Sequence, residues 1–87
     1  MKIKKGFILR EVAGNYIVVA TGKAAKNFNG LITLNETGAF LWKCLEENAT
    51  EESLLKDLLA EYDIDEETAQ KDIKAFLNRV KEASLVE

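Results

Sequence analysis

Along the chain, apolar residues first recur at the spacing of strands and then, from residue 35, at the spacing of helices. The segment "FILREVAGNYIVVA" (7–20) holds two β-rich runs around Gly14-Asn15, a two-residue turn signal because glycine accepts the positive φ of tight hairpins. With that pair as the loop, Val12 is expected opposite Ile17 and Arg10 opposite Val19 on one face. Leu9, Tyr16, Val18 and Ala20 fall on the other. Both faces are largely apolar, whereas a hairpin lying on a core has one wet side; either the register differs or the second face is covered by the chain or a partner. A polar loop, "GKAAKNFNG", leads to "LITL" (31–34), which reads as a third short strand.

The change to helical spacing follows with almost no linker. Asn35 or Thr33 is placed to cap the first turn, Thr33 to Glu36 having capping-box spacing, and Gly38 is expected to loosen the junction. Phe40, Leu41, Cys44 and Leu45 then share one side. Thr50 opens a second helix, with Glu51 and Glu52 favoured by the helix dipole and Leu54, Leu55, Leu58, Leu59 and Tyr62 as its apolar stripe. Asp63 or Asp65 opens a third helix, with Ala69, Ile73, Phe76, Leu77 and Val80 facing inward. "ASLVE" closes the chain as a short extended tail. The order predicts an α+β fold, a three-stranded antiparallel sheet followed by three helices in a winged helix-turn-helix-like arrangement.

Eighty-seven residues, 47% of them apolar, fit one domain spanning residues 1–87 with a single modest core. Proline is absent and there are five glycines, which leaves no low-complexity linker. The net charge of −3 sets the average field against a phosphate backbone and argues against nucleic acid as a partner. "MKIKKGFILR" has a basic opening but no signal-peptide pattern, and no apolar run is long enough for a bilayer, so no membrane role is expected. A single cysteine makes no internal disulfide and fits a cytoplasmic protein.

Candidate chemistry is sparse. With no histidine, the commonest general base and neutral metal ligand are both missing. Cys44 sits among Phe40, Leu41 and Leu45 and reads as a small buried hydrophobe, not a thiolate. The carboxylates gather at helix starts, "DIDEET" lacks the glycine and ligand spacing of a calcium loop, and there is no glycine-rich phosphate loop. No catalytic, metal-binding or cofactor-binding set emerges, so the chain is read as a non-enzyme. Trp42 lies off the main stripe of its helix, either widening the core face or anchoring a partner. On the third helix Lys71, Lys74, Asn78 and Lys81 share one side, and Asp72, Ala75 and Arg79 another. That second flank is either a solvated face or the wall of a groove in which small Ala75 admits a partner. A basic third helix reading DNA is one alternative. A homodimer burying Ile8, Val12, Ile17 and Val19 is another.

From "LITLNETGAFLW" through "TEESLLKDLLAEYDIDEETAQKDIKAFLNRVKEASLVE" the sequence resembles the PqqD family, small proteins named for pyrroloquinoline quinone biosynthesis. The resemblance runs from about Phe7 to the end. It rests on Leu34-Asn35-x-Thr37-Gly38 with Trp42, on Thr50, on Tyr62-Asp63, and on Asp72-x-x-x-Phe76-Leu77. It implies a winged-helix-like RiPP recognition element, which binds the leader of a ribosomally made precursor peptide as an added strand. The groove would lie between the third strand and the third helix, and the peptide would be presented to a modifying enzyme, a radical S-adenosylmethionine protein for PqqD itself. By position, the strand edge would be Gly30, Leu31, Ile32, Thr33 and Leu34. The helical wall would be Asp72, Ala75, Phe76 and Arg79, with Lys71. Two departures stand out: many relatives carry glycine where this chain has Ala83-Ser84, and Glu47-Asn48-Ala49 lacks the glycine expected after the first helix. The physical logic of the implied site is general, since an exposed edge strand has unpaired N–H and C=O groups that an extended peptide can satisfy.

Overall fold

The computed structural model describes residues 1–22, 25 and 32–87. Most of the polar loop, with the predicted site residues Gly30 and Leu31, lies outside them. Strands β1 (Phe7–Val12), β2 (Asn15–Ala20) and β3 (Ile32–Leu34) form an antiparallel sheet in the order β1-β2-β3, followed by helices α1 (Glu36–Glu46), α2 (Glu51–Glu61) and α3 (Glu66–Glu82). The expected α+β order is therefore present.

The hairpin register differs from the sequence reading. Its two turn residues are Ala13 and Gly14, at φ 51° and 82°, so Val12 faces Asn15, Arg10 faces Ile17 and Ile8 faces Val19. The expected Val12–Ile17 and Arg10–Val19 pairs do not form. A type I′ turn needs positive φ at both central positions, and here glycine occupies the second of them, which draws Ala13 into the first. The slip moves each pairing by two positions, so every side chain stays on its expected face.

The inner face buries Val18 and Leu34 against the helices, with Phe7, Leu9, Tyr16 and Ile32 packed around them. On the outer face Ile8, Ile17 and Val19 are half-buried, and Val12 is 52% exposed. The core between sheet and helices is built on Leu41, Trp42, Leu45, Leu54, Leu58, Leu77, Val80 and Leu85, all at or near zero exposure. Trp42 is thus a core residue. Leu59, expected on the buried stripe of α2, remains exposed at its margin.

The helix starts are set by short polar side chains. Asn35 caps α1 by accepting from the Gly38 N–H. Thr33, the alternative, lies inside β3, so the Thr33–Glu36 capping box does not form. Thr50 caps α2 in a reciprocal box with Ser53, and Asp65, not Asp63, caps α3 through the Thr68 N–H. The two chain ends tie the fold together in a way the sequence reading missed. Ile3 is buried and bridges Val86, Lys4 N–H donates to the Leu85 carbonyl, and Glu87 N–H donates to that of Lys2. The basic opening is a structural partner of the apolar tail.

Candidate functional site

β1 and β3 are the outer strands of the sheet, with β2 between them, and among the described residues β3 has no strand on its outer side. Which of its backbone groups face outward follows from the hairpin. In a two-residue turn the flanking pair, here Val12 and Asn15, exchanges both hydrogen bonds, and the bonding then alternates along the ladder. Ile17 therefore points its backbone toward β1, whereas Tyr16 and Val18 point theirs toward β3. The alternation holds to the far end of the hairpin, where Thr21 N–H donates to the Gly6 carbonyl at 2.7 Å. Because Tyr16 pairs with Leu34, Val18 with Ile32, and Ile17 with Thr33, the N–H and C=O of Thr33 face away from the sheet. Thr33 itself is exposed.

Beside this edge a groove of about 510 Å³ runs between β3 and α3. One wall is Thr33, Leu34 and Asn35; the other is Asp72, Ala75, Phe76 and Arg79, which follow one another at helical i, i+3, i+4, i+7 spacing along one stripe. Leu41 and nearly buried Phe76 give it an apolar lining, and Asn15, Thr37 and Gly38 close the end near the hairpin and the start of α1.

Of the residues expected from the sequence, the groove brings together Thr33, Leu34, Asp72, Ala75, Phe76 and Arg79. Ile32 is on the inner face of the sheet and does not line it. Lys71 is turned to its own helix surface, 3.7 Å from Glu67, and does not line it either. Asn15, Thr37, Gly38 and Leu41 were missed. The signal was present for Thr37 and Gly38: a helix that starts two residues after an edge strand must place its first turn at the end of that edge.

Other candidate groups lie elsewhere. Burial pushes the Cys44 thiol up, and the Asp57 and Glu47 carboxylates push it further, so it is held as a thiol at neutral pH. Burial likewise raises the Tyr62 hydroxyl, with Glu36, Glu61 and Tyr16 adding to it, and the ring packs edge-on against Phe40 at 5.6 Å. Among the described residues no helix is long and apolar enough to cross a membrane. Among the described residues the groove offers a strand edge without a partner strand, an apolar lining and two charges: the means of holding an extended chain.

The comparisons agree with this shape. The family model for coenzyme PQQ synthesis protein D (PqqD) matches residues 8–86. No curated protein matches the chain. Two solved structures share its fold. TbiB1, in complex with the TbiA(beta) leader peptide, is 23% identical with a TM-score of 0.76, the match covering 100% of this chain and 95% of that one. Lasso peptide synthetase B1, complexed with the leader peptide, is 16% identical with a TM-score of 0.75, covering 99% and 95%.

Proposed function

The chain belongs to the PqqD family, and from that membership and its open strand edge we propose that it is a non-catalytic module for binding the leader of a ribosomally made precursor peptide. The leader adds as a fourth strand beside β3 and is presented to a peptide-modifying enzyme, which in this reading is of the radical S-adenosylmethionine type. The observation that carries this reading is the outward-facing backbone of Thr33 beside the groove lined by α3. Backbone pairing supplies affinity with little demand on sequence, and alternate side chains of the peptide enter the apolar lining and supply selectivity. Both solved neighbours hold leader peptides, which supports the same use of the fold here.

The site residues in this reading are Thr33 and Leu34 on the strand side and Asp72, Ala75, Phe76 and Arg79 on the helix side. Ala75 matters for its size, since a larger side chain at the middle of the helical wall would narrow the groove. The test is fluorescence anisotropy with labelled leader peptides of any short precursors found among the neighbouring genes, and with a labelled DNA duplex at low salt. Saturable binding of the leader alone is expected. Duplex binding with a steep salt dependence and no leader binding would replace this reading with the DNA-binding alternative.

A further inference from the structure

Among the described residues lining the groove, only Asp72 and Arg79 are charged, and they have opposite signs. Neither side chain has an ion-pair or hydrogen-bond partner among the described residues, although Lys71, next in sequence to Asp72, is engaged with Glu67. Asp72 lies beyond the first turn of α3, so the helix dipole gives little reason for an acid there. Between the two charges the wall is apolar or small, with Ala75 and Phe76. The groove therefore has a negative end, an apolar middle and a positive end.

We infer that this polarity makes the groove select bipolar peptides in one direction: a cationic side chain beside Asp72, an apolar one over Ala75 and Phe76, and a carboxylate beside Arg79. The inference rests on the proposed peptide-binding reading and names the chemistry of its ligand. Seven positions separate the two charges, which is about 10 Å along a helix axis. An extended peptide advances about 3.4 Å per residue, and residues an even number apart share a face. The matching peptide charges are therefore two or four positions apart, the shorter spacing bridged by the reach of the arginine. Reversing the peptide would bring carboxylate against Asp72 and cation against Arg79. Polarity thus sets which end of the leader emerges at which end of the groove, and so where the segment to be modified is delivered. Like-charge juxtaposition rejects wrong partners more effectively than the matched pairs add affinity.

The test is selection of a displayed random twelve-residue peptide library on the wild-type protein and on the exchanged double variant Asp72→Arg/Arg79→Asp. Enriched peptides are then synthesised and titrated against ¹⁵N-labelled protein. The wild type is expected to enrich one order of base and acid, two or four positions apart, and the exchanged variant the opposite order. Each mismatched charge should weaken binding by about two- to fivefold, the scale of a solvent-exposed ion pair. Peptides that shift the Thr33 and Gly38 amides but show no charge order, or the same order in both proteins, overturn the polarity while leaving peptide binding intact. Selected peptides that leave those amides unmoved, or no enrichment at all, overturn the peptide-binding reading and the polarity with it. Circular dichroism of the exchanged variant shows that it is folded; if it is not, the single variants Asp72→Asn and Arg79→Gln are selected instead, each expected to relax the preference at one peptide position only.

Discussion

Asn35 Oδ1 accepts the Gly38 N–H at 2.7 Å, and a Cβ placed on Gly38 would stand only 3.1 Å from that same oxygen. The strand-to-helix junction is thus closed by contact, not loosened by glycine as its sequence implies. Gly38 is buried, and its missing side chain lets the first turn of α1 sit on Leu34, whose own Cβ would lie 3.3 Å from the added atom. Leu34 in turn pairs with Tyr16, so the cap, the edge strand and the end of the groove form one rigid corner.

Crowding this corner has a predictable cost. Gly38→Val puts a branched side chain against Asn35 Oδ1 and two atoms of Leu34. A loss of about 1–3 kcal/mol is expected from overpacking, read as a lower urea midpoint. An unchanged midpoint would show that the corner yields.

Thr33→Pro separates binding from folding. The backbone N–H of Thr33 faces the open edge, so proline there removes no bond of the β2–β3 ladder, and proline is tolerated on edge strands. The far-ultraviolet circular dichroism should be kept, while leader-peptide affinity falls about tenfold or more through the lost donor. An unfolded variant would mean that the N–H faces β2.

Besides Ala13 in the hairpin turn, two described positions in the left-handed region carry no glycine: Ser84 at φ 59° and Asn48 at φ 70°. Both fall where the family resemblance leads a glycine to be expected, Asn48 after the first helix and Ser84 ahead of the final apolar pair. Asn48 is suited to this conformation and its side-chain oxygen accepts a hydrogen bond from the amino group of Met1. Among the described residues the Ser84 side chain has no such partner. Ser84→Gly is expected to stabilise the protein by about 0.5–1 kcal/mol, measured by chemical denaturation. Destabilisation would show that the serine makes a contribution its geometry does not reveal.

The cap of α3 sets a pH dependence. Hydrogen bonding from Thr68 holds the Asp65 carboxyl below the usual carboxylate range. A group whose folded pKa is depressed stabilises the fold above its unfolded value, about 4, and that contribution fades as pH falls through the folded pKa. Asp65→Asn keeps a capping oxygen but cannot titrate. The variant should therefore lose less stability than the wild type between neutral pH and pH 3, in thermal melts at matched ionic strength. Parallel pH profiles would contradict this assignment.

Much of the architecture was legible because it depends on local spacing. The stripe Ala69, Ile73, Phe76, Leu77 and Val80 is buried as its period requires, and Thr50 and Asp65 cap as short polar residues before helical runs do. The flank holding Asp72, Ala75 and Arg79 follows from the same wheel, and it is the flank that lines the groove. What failed depends on relations that the local pattern does not carry. Whether Ala13-Gly14 or Gly14-Asn15 makes the turn is decided by which two residues share positive φ, and both choices give the same faces. The pairing of Ile3 with Val86 joins residues 83 positions apart, each in a segment too short to show a period. Lys71 was carried over to the helical wall with Asp72 by family position, yet one step along a helix turns a side chain by about 100°, away from the groove.

The most direct test of the strand-addition account is amide hydrogen exchange at three neighbouring residues, with and without the leader peptide. In the free protein, Ile32 and Leu34 should be protected by β2 while Thr33 exchanges rapidly, because its N–H has the open edge before it. Saturation with leader should slow Thr33 by tenfold or more and leave its neighbours little changed. A Thr33 amide already protected in the free protein, or one that exchanges as fast in the complex as without it, would contradict the account.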